Sequence, residues 1–154
     1  MQASVGYILK ITVTLARPII WRRVLVPADI KLPRLHAVIQ IVTDAPDSLQ
    51  HFFIDSQKTV YANPAWEDFP KIKTGRDVRL RRLLTRPGDR LAYYCGEDDE
   101  WEHTVELLKV TETDRNAGRA ACLAGNRHCL GRYERRKGGF LLSVVNRALQ
   151  RVRV

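Results

Sequence analysis

Tyr7-Ile8-Leu9-Lys10-Ile11-Thr12-Val13-Thr14-Leu15 is the stretch whose reading decides the fold class. Tyr7, Leu9, Ile11, Val13 and Leu15 fall on one side of a period of two, and the run is rich in β-branched residues. That pattern predicts a half-buried β-strand. Arg17-Pro18 breaks it, and Ile19 to Val26 forms a second extended run closed by Pro27. Two strands joined by so short a connection predict an antiparallel pair.

Beyond that pair the period changes. Leu32, Leu35, Val38, Ile39 and Val42 recur as one face of a helix, with Pro33 in the first turn, where no intrahelical N–H partner is lost. Asp44-Ala45-Pro46-Asp47 ends it. His51 to Asp55 and Thr59 to Ala62 read as short strands, 63–73 as a loop around Pro64 and Pro70, and Val78 to Leu84 as a helical turn or two. Leu91 to Cys95 and Trp101 to Val110 read as a hairpin with Trp101, His103, Val105 and Leu107 on one face. Residues 111–139 hold five of the nine glycines and read mostly as loop. A closing helix from about Phe140 would place Leu141, Val144, Val145, Ala148, Leu149 and Val152 on one face. The expectation is a single α+β domain over residues 1–154. It has a mostly antiparallel sheet, packed with a helix near residues 32–43 and a C-terminal helix.

Composition agrees with that class. A chain of 154 residues with 45% hydrophobic and 28% charged residues is long enough for one core and excludes a collagen-like or wholly disordered protein. No apolar run is long enough to span a membrane. Met1-Gln2-Ala3-Ser4 lacks the basic start of a secretory signal. An odd count of cysteines, Cys95, Cys122 and Cys129, then argues for free thiols in a reducing cytoplasm.

The charge is unevenly placed. The net charge is +9, and residues 1–114 balance 16 Lys+Arg against 16 Asp+Glu. Residues 115–154 hold 10 Lys+Arg against Glu134 alone, so the whole excess lies in this basic C-terminal segment. Such asymmetry points to an anionic partner, nucleic acid foremost, or else to charge serving solubility. Arg132-Tyr133-Glu134-Arg135-Arg136-Lys137 is its densest part. Arginines grip phosphates and a tyrosine ring stacks on a base. Arg127, Arg132, Tyr133, Arg135, Arg136, Lys137, Arg147 and Arg151 are therefore the candidate nucleic-acid contacts.

Three other constellations carry chemistry in principle. Glu97-Asp98-Asp99-Glu100 supplies hard oxygen ligands, but it also reads as a solvated hairpin tip. Cys122, His128 and Cys129 are zinc-ligand types, and His103 or Cys95 would complete a set of four only if the fold brought it near. The plain alternative is small buried thiols beside a surface histidine. Arg127 and His128 beside Cys129 also offer the positive field a thiolate nucleophile needs, without any recognisable nucleophile motif.

A resemblance enters at the same residues. Tyr7-Ile-Leu-Lys-Ile, then Pro18-Ile-Ile-Trp21-Arg22-Arg23-Val24-Leu-Val26-Pro27, then Leu35-His36-Ala-Val38-Ile39-Gln40 resemble the N-terminal half of the plasmid pRiA4b ORF-three-like family. Gly88-Asp89-Arg-Leu91, Trp101-Glu102-His103 and Cys122-Leu-Ala-Gly125 stand where that family carries similar residues. The resemblance implies an α+β domain associated with plasmids and mobile elements, and it implies no particular activity. The chain departs from it in the four acids after Gly96, and in Lys137, which stands before Gly138-Gly139 where a third cysteine would fall. A metal site in relatives would thus have lost a ligand here.

The residues favour a binding module with no catalytic residue and no cofactor, whose basic segment contacts nucleic acid or another anion. The rivals are a metal-dependent or hydrolytic enzyme built on the acidic hairpin and the Cys/His residues, and a protein-interaction adaptor using the last helix. Trp21, Trp101 and His103 are expected in packing rather than catalysis.

Overall fold

Tyr7, Leu9, Ile11 and Val13 are all buried while Lys10 between them is exposed, so the alternation in the first strand does set its inward face. This strand, β1 (Ala3–Val13), pairs antiparallel with β2 (Ile20–Pro27), with Tyr7 opposite Val26 and Val13 opposite Ile20. The computed structural model describes residues 3–14, 16, 19–44, 51–62, 72–95, 101–114, 119–126 and 141–152.

The remaining elements are α1 (Leu32–Thr43), β3 (His51–Ile54), β4 (Val60–Ala62), β5 (Ile72–Thr74), α2 (Leu80–Leu83), β6 (Arg90–Cys95), β7 (Trp101–Asp114), β8 (Ala121–Gly125) and α3 (Leu142–Leu149). One eight-stranded sheet runs in the order β5-β4-β3-β6-β7-β1-β2-β8, and every pairing is antiparallel except β4 with β5. The α+β class and the mostly antiparallel sheet stand as expected. No helix among the described residues is long and apolar enough to cross a membrane.

Helix α1 lays Leu35, Val38, Ile39 and Val42 onto Leu9, Ile11, Val24, Val105 and Leu107 in one continuous core. It ends at Asp44, whose left-handed backbone (φ 53°) lets its N–H reach the carbonyls of Gln40 and Ile41. The sheet is therefore covered on one face by helices. On the other face the side chains of β1, β2, β6 and β7 are half-buried or exposed.

Three expectations need correction. The loop reading of 63–73 runs too far, because Ile72 and Lys73 belong to β5, held by parallel pairing with β4. The loop reading of 111–139 misses the end of β7 and all of β8. Thr111 to Asp114 are polar, yet they pair with the start of β1, and ladder hydrogen bonds need no apolar alternation. In β8 the register shifts opposite Arg23/Val24, which hides its period. The apolar face of α3 is also narrower than its sequence suggests. Val145 and Leu149 are buried, whereas Leu141 and Val144 are 49% and 38% exposed.

The Gly88-Asp89 turn shows how a local motif is held. Gly88 takes φ 98°, and the Asp89 carboxylate accepts from the N–H groups of Thr85 (2.8 Å) and Arg86 (3.0 Å) and from the Thr85 hydroxyl (3.1 Å). Those backbone donors hold the Asp89 carboxyl below its ordinary value of 3.8. Because the folded value is depressed, the contribution is full above pH 3.8 and is lost as pH falls through the folded value. Asp89→Asn should therefore destabilise the protein at neutral pH, and the difference from the parent should shrink below pH 3.8 in urea melts. A difference unchanged by pH would contradict this.

Candidate functional site

The C-terminal end of the chain closes one edge of the sheet. Strand β8 is an edge strand, and the Asn146 side chain of α3 does for it what a ninth strand would. Its Oδ1 accepts from the Cys122 N–H at 2.7 Å and its Nδ2 donates to the Cys122 carbonyl at 2.9 Å. Val145 and Leu149 seat the helix from the core side. Arg147 and Arg151 are left pointing into solvent, and Arg119 reaches across to donate to the Gln150 carbonyl. Among the described residues the ion pairs are Lys31–Asp77, Arg81–Asp29 and Arg90–Glu106, all within residues 1–114. No described carboxylate neutralises Arg119, Arg147 or Arg151. Arg127, Arg132, Tyr133, Arg135, Arg136 and Lys137 lie outside the described residues, as do Glu97, Asp98, Asp99 and Glu100.

A buried arginine anchors this edge. Arg22 occupies an inward position of β2, between Ile20 and Val24, and is fully buried. Its Nε donates to the Val42 carbonyl at 2.6 Å, at the C-terminal end of α1, where unpaired carbonyls and the helix dipole favour a cation. Its Nη1 donates to the carbonyls of Trp21 (2.8 Å) and Asn126 (3.1 Å). The opposite residue, Gly125, makes room for this: a Cβ there would lie 2.6 Å from Arg22 Cδ. Asn126 also accepts from the Trp21 N–H at 3.3 Å and donates to the Ile19 carbonyl.

On the same sheet face, further along, the fold gathers titratable groups the sequence shows only as scattered letters. Phe53, Tyr93, His103 and Val13 form one cross-strand row over β3, β6, β7 and β1, and His51 stands opposite Cys95 in the next. Helix α1 lowers His36 onto them. The His36 and His51 rings stack at 3.7 Å and 12°, and His36 Nδ1 meets the Tyr93 hydroxyl at 2.5 Å. The Tyr93 ring lies 4.9 Å from both Phe53 and His103. Burial pushes the Tyr93 hydroxyl well above its ordinary value, with the adjacent Cys95 adding to the effect. It also raises the Cys95 thiol, against the lowering influence of Tyr93. Cys122 is raised by burial too, with Arg22 opposing. Both described cysteines are thus neutral thiols at neutral pH rather than the thiolates a nucleophile requires.

The zinc set drawn from the sequence does not assemble around His103. His103 sits on β7 and Cys122 on β8, with β1 and β2 between them, so their strands are about 14 Å apart at the usual spacing. Zinc holds its ligands at about 2.0–2.3 Å. His128 and Cys129 lie outside the described residues. Among the described residues no group of three or more His, Cys, Asp or Glu is placed to hold a metal ion. His103 is fully buried in packing, as expected, whereas Trp21 is half-buried on the sheet face opposite the helices rather than in the core.

The sequence reading assigned no role to Arg22, His36, His51 or Tyr93, and offered Cys95 only as a fourth zinc ligand or a thiol. The signal for Arg22 was available: it alternates with Ile20, Val24 and Val26, so it had to point inward. No such signal joins His36 to His51, whose meeting depends on how α1 lies over β3.

Comparison with known proteins fits this architecture. A family model described as plasmid pRiA4b ORF-3-like protein matches residues 5–132. An uncharacterized protein, y4hQ, of Sinorhizobium fredii is 31% identical over 103 residues, covering 66% of this chain. The match covers 53% of that relative's own length, so this chain spans about half of it. The crystal structure of a Methanosarcina mazei protein of unknown function, MM3350, superposes with a TM-score of 0.70 at 24% identity. That superposition covers 82% of this chain and 72% of the other, and shows a shared fold.

Proposed function

This chain belongs to the plasmid pRiA4b ORF-3-like protein family, and from that premise we propose that it is a binding module whose basic C-terminal segment, residues 115–154, contacts nucleic acid. The observation that carries the reading is the set of exposed cations Arg119, Arg147 and Arg151 along the β8–α3 edge, without a carboxylate partner among the described residues, in a segment that holds the whole net charge of +9. Cations left without carboxylate partners attract the phosphate backbone and release its counterions on binding. They hold the partner by charge and carry no sequence information themselves.

Arg147 and Arg151 are exposed, so replacing them leaves the core untouched. Arg147→Ala with Arg151→Ala should weaken binding to labelled oligonucleotides equally across sequences. It should reduce the slope of log affinity against log salt by about 1.4 for single strands, two contacts at about 0.7 each. Arg135→Ala with Arg136→Ala should do the same. Unchanged affinity and slope in both pairs would refute the assignment.

A further inference from the structure

The even charge balance of residues 1–114 hides a second concentration of cations. Residues 71–90 hold eight Lys+Arg against Asp77 and Asp89 alone. The fold sets most of them on and around the short helix α2. Its backbone is pinned to the chain leaving β2: the Leu80 N–H donates to the Ile30 carbonyl at 2.8 Å and the Arg81 N–H to the Ala28 carbonyl at 2.9 Å. Leu80 and Leu84 are buried, while Arg79, Arg81, Arg82 and Arg86 are exposed. Lys31 and Arg34 at the start of α1 join them, since the Leu32 N–H donates to the Val78 carbonyl at 3.0 Å.

The acids nearby are already engaged. Asp29 pairs with Arg81 at 2.6 Å, Asp77 with Lys31 at 3.5 Å, and Asp89 accepts from the N–H groups of Thr85 and Arg86. Arg34, Arg76, Arg82 and Arg86 are exposed and have no carboxylate partner among the described residues. Arg79 and Arg82 stand three residues apart on one turn, where like charges repel. No residue of 28–34 or 73–90 is aromatic, and none of the exposed large apolar side chains among the described residues falls there. A protein interface has an apolar, aromatic-rich core, whereas a nucleic-acid interface is polar and strongly positive. Single-strand binders add rings on which bases stack. Arginines without rings therefore fit the phosphates of a duplex best, each guanidinium offering a fork of donors.

This surface and the C-terminal segment meet at one end of the sheet. Ala121 of β8 is opposite Leu25 of β2, and Arg119 precedes it by two residues, towards the end where β2 leaves at Pro27. Asp29, just beyond Pro27, holds Arg81. Arg119 donates to the Gln150 carbonyl, which brings the end of α3 and Arg151 to the same end.

We propose that the α2 arginines and the C-terminal segment form one surface across this end of the sheet, and that it holds the phosphate backbone of a nucleic-acid duplex. The inference rests on the nucleic-acid reading above and adds the strand state and a second group of contacts.

The test is binding of labelled duplex DNA and single-stranded oligothymidine to the full chain over a salt series. Arg82→Gln with Arg86→Gln changes only exposed side chains, so Tm should stay that of the parent. The slope of log duplex affinity against log salt should fall by about 1.8, two contacts at about 0.9 each. Lys10→Gln with Arg23→Gln removes the same charge from exposed positions on the sheet face opposite the helices, and should leave the slope unchanged. An equal fall in that control would reduce the effect to net charge and overturn the surface. If the Arg82/Arg86 pair binds like the parent while the Arg147/Arg151 pair loses affinity, the α2 contacts are overturned and the basic segment stands. The converse would refute the basic segment and support the α2 contacts alone. Oligothymidine bound more tightly than duplex would overturn the strand state, and labelled polyglutamate bound as tightly as duplex would overturn the partner class. A parent that binds no nucleic acid would overturn both proposals.

Discussion

Arg22→Met lowers the unfolding free energy by about 3–5 kcal/mol, as two or three buried acceptors at about 1–3 kcal/mol each are left without a donor. Methionine replaces most of the volume and none of the hydrogen bonds. The Val42 carbonyl at the end of α1 and the Asn126 carbonyl lose their donors together, and both are backbone groups that no substitution can make apolar. Arg22→Lys should recover only part of the loss, because a single ammonium lacks the fork that spans α1 and Asn126. Gly125→Ala should cost about 1–3 kcal/mol by a different route, since its Cβ would press on Arg22 Cδ at 2.6 Å and the Trp21 carbonyl at 3.0 Å. Urea unfolding with an unchanged m-value checks all three. A loss under about 1 kcal/mol in Arg22→Met would show that the β2–α1 anchor is not what fixes this edge.

Tyr93→Ala should cost a similar amount, about 3–5 kcal/mol, because an aromatic ring is removed from a fully packed site. The ring touches Phe53 and His103 along its row and His36 from the helix above, so no single neighbour can close the gap. Tyr93→Phe separates the ring from its hydroxyl. It should cost about 1–2 kcal/mol through the lost contact with His36 Nδ1. It should also shift the two-dimensional NMR signals of His36 and Cys95 while leaving those of Leu9 and Val24 in place. Equal losses for Ala and Phe would mean that the hydrogen bond, not the packing, dominates at this position.

Much of this fold is legible in the sequence wherever one face of an element is wholly inward. The alternation in β1 and β2 and the three-to-four spacing in α1 each mark a continuous buried stripe. The reading weakens where backbone pairing rather than side-chain burial makes the element. The polar end of β7 and the three residues of β5 are strands because of their neighbours. The candidate site divides in the same way. Net charge per segment is additive along a chain, so the basic C-terminal end could be read directly. The meeting of His36 with His51, or of the α2 arginines with Arg119 at one end of the sheet, is set by the packing of α1 and by the β2–β8 register. Arg22 lies between the two cases. Its alternation gave its direction, but its partners are the end of a helix and the end of an edge strand that no local pattern announces.

Binding of the full chain to labelled single-stranded and duplex oligonucleotides over a salt series tests the central claim most directly. The segment of residues 115–154, with its +9, predicts an affinity that falls linearly on logarithmic axes as salt rises. No binding at the lowest salt, or an affinity indifferent to salt, would contradict it.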